Sequence, residues 1–209
     1  MAKAVWQKLF DGKTLDGWIQ RGGEAKYHVD DETIVGTTVA GTSNSFLCTV
    51  KIYGDFVLEL EYKVHPEMNS GVQIRSNSYP EYRNGRVHGY QIEIDPSDRA
   101  WTGGIYDEGR RGWLYDLEGK PEAQKAFKQN EWNHFRIEAR EESLKTWVNG
   151  IPVADLTDFM TARGFIALQV HGTKDKTAHQ VMWRNIRLQD LERAFPQARS
   201  EREQKTPPH

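Results

Sequence analysis

Glu93 and His171 are the side chains in this chain best suited to move a proton. Each stands at a strand-like position between apolar neighbours, and each titrates close enough to neutrality to be tuned by its surroundings. Three segments around them share a pattern. In GVQIR (71–75), GYQIEID (89–95) and ALQVH (167–171), apolar residues fill one face, and the other face carries Gln73 and Arg75, then Gln91, Glu93 and Asp95, then Gln169 and His171. Side chains at i and i+2 lie on the same face of a strand, so neighbouring strands would merge these groups into one polar patch. A sugar, with many hydroxyls wanting partners in fixed positions, suits such a patch. The plainer reading is a wetted outer sheet face, which would ordinarily favour Lys, Thr and Glu.

The following stretch, SDRAWTGGIYDEGRRGWLYD (97–116), reads as a long loop rich in Gly and aromatic residues that could wall a cleft over the sheet. Its rings can stack on the C–H face of a sugar, which makes Tyr106, Arg110 and Trp113 candidate substrate contacts. Asp95, Glu93 and His171 could approach one another closely enough for a divalent cation, but no spacing assigns metal ligands and no cofactor is expected. His65, His88, His134 and His179 show no organisation by spacing, although His88 directly precedes the GYQIEID segment.

Other chemistries lack their signatures. The chain has no G-x-S-x-G elbow, zinc-ligand spacing, phosphate loop or dinucleotide fingerprint. A formal charge of −2 with interspersed signs offers nucleic acid no basic stripe. No apolar run approaches the ~20 residues of a membrane span, and MAKAVWQKLF lacks the apolar core of a signal peptide. Cys48 is the only cysteine, so no internal disulfide can form.

The elements that must position these groups are strands. Period-two alternation is clearest at 56–64, where Phe56, Leu58, Leu60, Tyr62 and Val64 share one face. It recurs at 71–76, 89–95, 133–140, 164–171 and 180–188, with shorter candidates at 26–38, 44–49 and 143–155. Asn149-Gly150 predicts a hairpin of the type that needs positive φ at both central residues. One helical turn is expected around 121–128, and a polar tail over 192–209. Many short strands without intervening helices argue for a single antiparallel β-sandwich domain over 1–191, long enough to bury roughly 70% of its unfolded surface without disulfides.

Taken in order, FDGKTLDGW (10–18), NSGVQIRS (69–76), GYQIEID (89–95), TGGIY (102–106), EWNHFRI (131–137), VNG (148–150), LQVHG (168–172) and WRNIRLQDL (183–191) resemble the 3-keto-disaccharide hydrolase domain family. The resemblance implies an all-β jelly roll of the concanavalin A-like lectin/glucanase kind, two curved antiparallel sheets with a carbohydrate cleft on one. It implies an oligosaccharide or glycoside substrate already oxidised to a ketone at position 3, hence a sugar 3-dehydrogenase as functional partner, and a periplasmic or extracellular home. The expected chemistry is base-catalysed elimination beside the ketone followed by hydration, with Glu93 or His171 as base and Arg75, Gln73 and Gln169 as oxyanion donors or anchors. Two alternatives stay open. E-I-D-P-S-D (93–98) is similar to the E-x-D-x-x-E signature of family 16 retaining glycosidases, although Asp98 is one methylene short and Pro96 interrupts the strand ladder. A non-catalytic carbohydrate-binding module would use the same fold.

Overall fold

The computed structural model describes residues 5–192, so the expected tail falls, from 193 onward, outside the described residues. The chain forms β1 (Trp6–Lys8), β2 (Trp18–Gly22), β3 (Lys26–Asp30), β4 (Thr33–Thr37), β5 (Ser45–Thr49), β6 (Phe56–Val64), β7 (Ser70–Asn77), β8 (His88–Ile94), β9 (Ile105–Glu108), β10 (Gly112–Tyr115), the single helical turn α1 (Pro121–Gln124), β11 (Asn133–Arg140), β12 (Ser143–Val148), β13 (Ile151–Thr157), β14 (Phe165–Val170) and β15 (Gln180–Asp190). Every strand pairing is antiparallel.

Two sheets result, and together they make the expected all-β sandwich. One runs β13-β12-β11-β6-β15-β4-β3 with β1 added beside β15, and the other runs β10-β9-β8-β7-β14-β5-β2. Alternation decides what lies between them. Leu58, Leu60 and Tyr62 of the first sheet and Val72, Ile74, Tyr90, Ile92, Ile94, Ile166 and Leu168 of the second are fully buried in one apolar core. Trp183 is wholly enclosed, with Tyr27 stacked near it at 6.4 Å between ring centres. At the β12–β13 turn Asn149 and Gly150 take φ of 50° and 82°, the positive pair that the Asn-Gly sequence anticipates.

The segment 97–116 departs from the expected loop. Only its first part is irregular. Ile105–Glu108 and Gly112–Tyr115 pair as a hairpin that extends the second sheet beyond β8. Four-residue strands are too short for their alternation to stand out in the sequence. Their consequence is positional, since Tyr106 and Trp113 become cross-strand partners on the outer face of that sheet.

Candidate functional site

The outer face of the second sheet is where the polar positions of β7, β8 and β14 meet. Gln169 pairs with Gly71, Gly71 with Glu93, Gln73 with Gln91, and Gln91 with Tyr106, so the merged patch exists as a row across four adjacent strands. The face is not simply wetted. Gln73, Gln91, Glu93 and Gln169 are all buried, and beside them Phe46, Cys48, Val87, Phe165 and Ala167 form a second, smaller apolar cluster.

A directional relay of hydrogen bonds ends on Glu93. Ser76 Oγ donates to Gln73 Oε1 at 2.6 Å, Gln73 Nε2 to Gln91 Oε1 at 2.7 Å, and Gln91 Nε2 to Glu93 Oε2 at 2.8 Å. The other carboxylate oxygen accepts from Asn69 Nδ2 at 2.6 Å. Gly71 makes room for this arrangement, because a Cβ there would lie 2.6 Å from both Cγ and Cδ of Gln91. Burial dominates the electrostatics of the site. It pushes the Glu93 carboxyl up to about 7 with help from Asp95, against the opposing pull of the Asn69 and Gln91 donors and of Arg99.

Above Glu93 lies a cleft of about 460 Å³ lined by Asn44, Asn69, Arg86, Gln91, Glu93, Arg99, Tyr106, Glu108, Trp113, Gln169 and His171. Its aromatic wall is built edge to face, with Trp113 against Trp101 at 4.8 Å and against Tyr106 at 5.3 Å. Arg99 lies over both tryptophans, at 4.7 and 5.1 Å from their ring centres. His171 is exposed at the cleft, its Nδ1 2.7 Å from the Gly172 carbonyl. A carbonyl can only accept, so Nδ1 carries the proton and Nε2 is the atom that can exchange one with a ligand. Gln169 is wholly buried, and neither Oε1 nor Nε2 has a protein partner. An unpaired amide facing a cleft asks for a ligand that both donates and accepts, as a sugar hydroxyl does.

Of the residues singled out by sequence, Glu93, His171, Gln91, Gln169, Tyr106 and Trp113 line this cleft, and four others do not. Gln73 lies beneath it as a link in the relay. Arg75 points away altogether. It takes a φ of 46° at a register break in β7, which reverses the alternation, and its guanidinium bonds the Gly54 carbonyl, the Asp55 carboxylate and the Glu141 carbonyl. It therefore ties β7 to the other sheet and cannot serve as an oxyanion donor in the cleft. Asp95 turns into the loop that follows β8, where it accepts from Ser97 Oγ at 2.6 Å, Arg99 Nε at 2.7 Å and the Ser97 and Trp101 amides. Arg110 sits on the core-edge side of the β9–β10 turn, bonded to Asp107 and Thr161.

Sequence reasoning missed Asn44, Asn69, Arg86, Arg99 and Glu108. Asn69 opens NSGVQIRS (69–76) and Arg99 lies in the 97–116 stretch, but nothing local in either segment turns the side chain toward the cleft. Asn44, Arg86 and Glu108 arrive by chain reversals that no local pattern reveals. Two histidines without apparent order, His65 and His179, stack at 4.2 Å away from the cleft. Glu93, Asp95 and His171 do not converge at metal-ligand distances; among the described residues the group that does is His65, Glu67 and His179.

The comparisons with known proteins agree with this architecture. A family model described as the 3-keto-alpha-glucoside-1,2-lyase-like domain matches residues 5–189. Among solved structures, a candidate glycosyl hydrolase from Parabacteroides distasonis is similar over 90% of this chain and 94% of its own, with 20% identity and a TM-score of 0.64. A carbohydrate-binding module, CBM66 from Bacillus subtilis, is similar over 83% of this chain and 95% of its own, with 14% identity and a TM-score of 0.58. A Bacillus subtilis protein of unknown function with a galectin-like fold is similar over 89% and 98%, with 10% identity and a TM-score of 0.63. These identities speak to fold alone. No curated protein matches the chain. Among the described residues no helix is long and apolar enough to cross a membrane.

Proposed function

The chain belongs to the 3-keto-alpha-glucoside-1,2-lyase-like domain family, and from that premise we propose that it cleaves glycosides carrying a ketone at sugar carbon 3, with Glu93 as the base. The observation that carries this reading is the buried Glu93 carboxyl held by two amide donors in a polar and aromatic cleft, with burial pushing it up to about 7. A general base works best when its pKa lies near the working pH.

The ketone at C3 acidifies the proton on C2. Glu93 takes that proton, and its electron pair flows through the enolate to form a C1=C2 double bond as the C1–O bond breaks. The departing oxygen keeps the bonding pair and receives a proton from solvent or from Nε2 of His171 in its imidazolium form. Arg99, Arg86 or the Gln169 amide supplies the donor for the enolate oxygen, a contribution of roughly 3–4 kcal/mol at a developing charge. Water then adds across the enone. A sugar 3-dehydrogenase must supply the keto substrate, and the periplasm or the cell exterior is the setting in which such glycosides are met.

The family 16 alternative fits the geometry poorly. Asp98, the second carboxylate it requires, is exposed in the loop after β8 and does not line the cleft. A pure binding module would not need a buried carboxyl with raised pKa. The test is release of a chromogenic phenol from a 3-keto glucoside compared with the unoxidised glucoside. Release from the keto compound alone supports elimination. Release from the plain glucoside supports hydrolysis, and binding without release from either supports a module.

A further inference from the structure

The connection between β6 and β7 meets the one between β14 and β15 where His65 stacks on His179. There we propose a binding site for a divalent transition-metal cation, zinc foremost, formed by His65 and Glu67 of the first connection and His179 and Asp175 of the second. The ligand atoms of His65, Glu67 and His179 lie within 4.8 Å of one another. His179 Nε2 is 3.2 Å from Asp175 Oδ2 and 3.9 Å from Glu67 Oε2. Donors at the ~2.0–2.2 Å bond lengths of a tetrahedral zinc site sit about 3.3–3.5 Å apart, so the two His179 separations bracket the requirement; Asp175, outside the converged trio, would join as fourth ligand by trading its hydrogen bond to His179 for the ion. Two imidazoles with carboxylates favour zinc and its transition-metal neighbours over calcium or magnesium, which prefer all-oxygen sites.

His179 provides the fixed point. It is buried, and its backbone is paired with Thr38 through Thr38 N–H to the His179 carbonyl at 3.0 Å and His179 N–H to Thr38 Oγ1 at 3.0 Å. His65 and Glu67 are both exposed, and His65 lines a cleft of about 280 Å³ together with His179. The Glu67 amide donates to His65 Nδ1 at 3.2 Å, a contact that must yield when the imidazole takes a metal. One exposed hydrogen bond is small beside a metal–imidazole bond.

The two connections also bear on the cleft. Residues 65–69 end on Asn69, which holds Glu93, and the β14–β15 connection begins at His171. A cation joining Glu67 to His179 would clip together the loops that position both. This inference stands apart from the chemistry assigned to the cleft, and its test uses no substrate.

The chain is stripped with a chelator and titrated with zinc chloride, following bound zinc, melting temperature and amide hydrogen exchange. One zinc per chain, a rise in melting temperature through linkage, and slowed exchange in residues 65–69 and 173–179 are expected. His65→Ala and Glu67→Gln, both at exposed positions, should weaken binding more than about tenfold. His134→Ala, on β11 opposite Glu61 of β6 and outside the proposed ligand set, should leave it unchanged. Zinc that binds equally to the His65→Ala and His134→Ala chains, or that leaves melting and exchange at these loops unaltered, overturns the proposal.

Discussion

Asn69 Nδ2 lies 2.6 Å from Glu93 Oε1, and this contact joins the connection before β7 to the buried Glu93 carboxyl of the cleft. The other oxygen of Glu93 is bonded to Gln91, so the ionised carboxylate has a donor on each side and its protonated form does not. Burial favours the neutral acid and the donors favour the anion; burial is the larger effect.

Glu93→Gln tests that balance through stability. The folded-state pKa of about 7 lies above the 4.5 of a free glutamate carboxyl. The folded chain therefore binds this proton more tightly than the unfolded chain, and the resulting stabilisation is fully present below pH 4.5 and lost as pH rises through 7. The loss is on the order of 3 kcal/mol. The neutral Gln variant escapes it, provided that the Asn69 amide flips to accept from the new Nε2. Melting curves should show the variant more stable than the parent at pH 8 and the difference closing at pH 4.5. A constant difference across that range would contradict the raised pKa.

The same substitution should lower turnover of a 3-keto glucoside by about 10²–10⁴-fold, the usual contribution of a positioned base. For the parent chain, kcat/KM should rise with pH up to about 7, as Glu93 becomes deprotonated.

Gly71→Ala probes the relay without touching a titratable group. The added methyl would meet Gln91 Cγ and Cδ at 2.6 Å, and Gln91 would have to leave its place between Gln73 and Glu93. Overpacking of this kind typically costs 1–3 kcal/mol. The chain should fold with reduced melting temperature, and kcat should fall further than stability alone explains. Unchanged kcat would show that the relay does not set the state of Glu93.

Asp95→Ala should act on substrate binding. Its carboxylate holds Arg99 at 2.7 Å and the Ser97 and Trp101 amides, and through them the position of the aromatic wall. Losing a buried charged acceptor costs about 2–3 kcal/mol, and KM should rise more than kcat falls. A kcat loss equal to that of Glu93→Gln would instead place Asp95 in the proton transfer.

What the sequence revealed follows from how local the physics was. The strands at 56–64 and 133–140 were legible because buried and half-buried positions alternate along most of each. Gln91, Glu93 and Gln169 were legible because hydrogen-bonding groups interrupt strands that are buried on both faces. Arg75 misled because a single positive φ reverses alternation, and nothing in GVQIRS announces it. The β9–β10 hairpin hid behind strands of four residues, and Asn44, Arg86 and Glu108 reach the cleft only through long-range pairing.

The most direct measurement is turnover of a 3-keto glucoside bearing deuterium at C2. If Glu93 removes that proton in a rate-limiting step, the labelled substrate reacts more slowly than the unlabelled one, and Glu93→Gln lowers turnover of both by about 10²–10⁴-fold. Equal rates for the two substrates, with activity undiminished in Glu93→Gln, would contradict the assignment of Glu93 as the base.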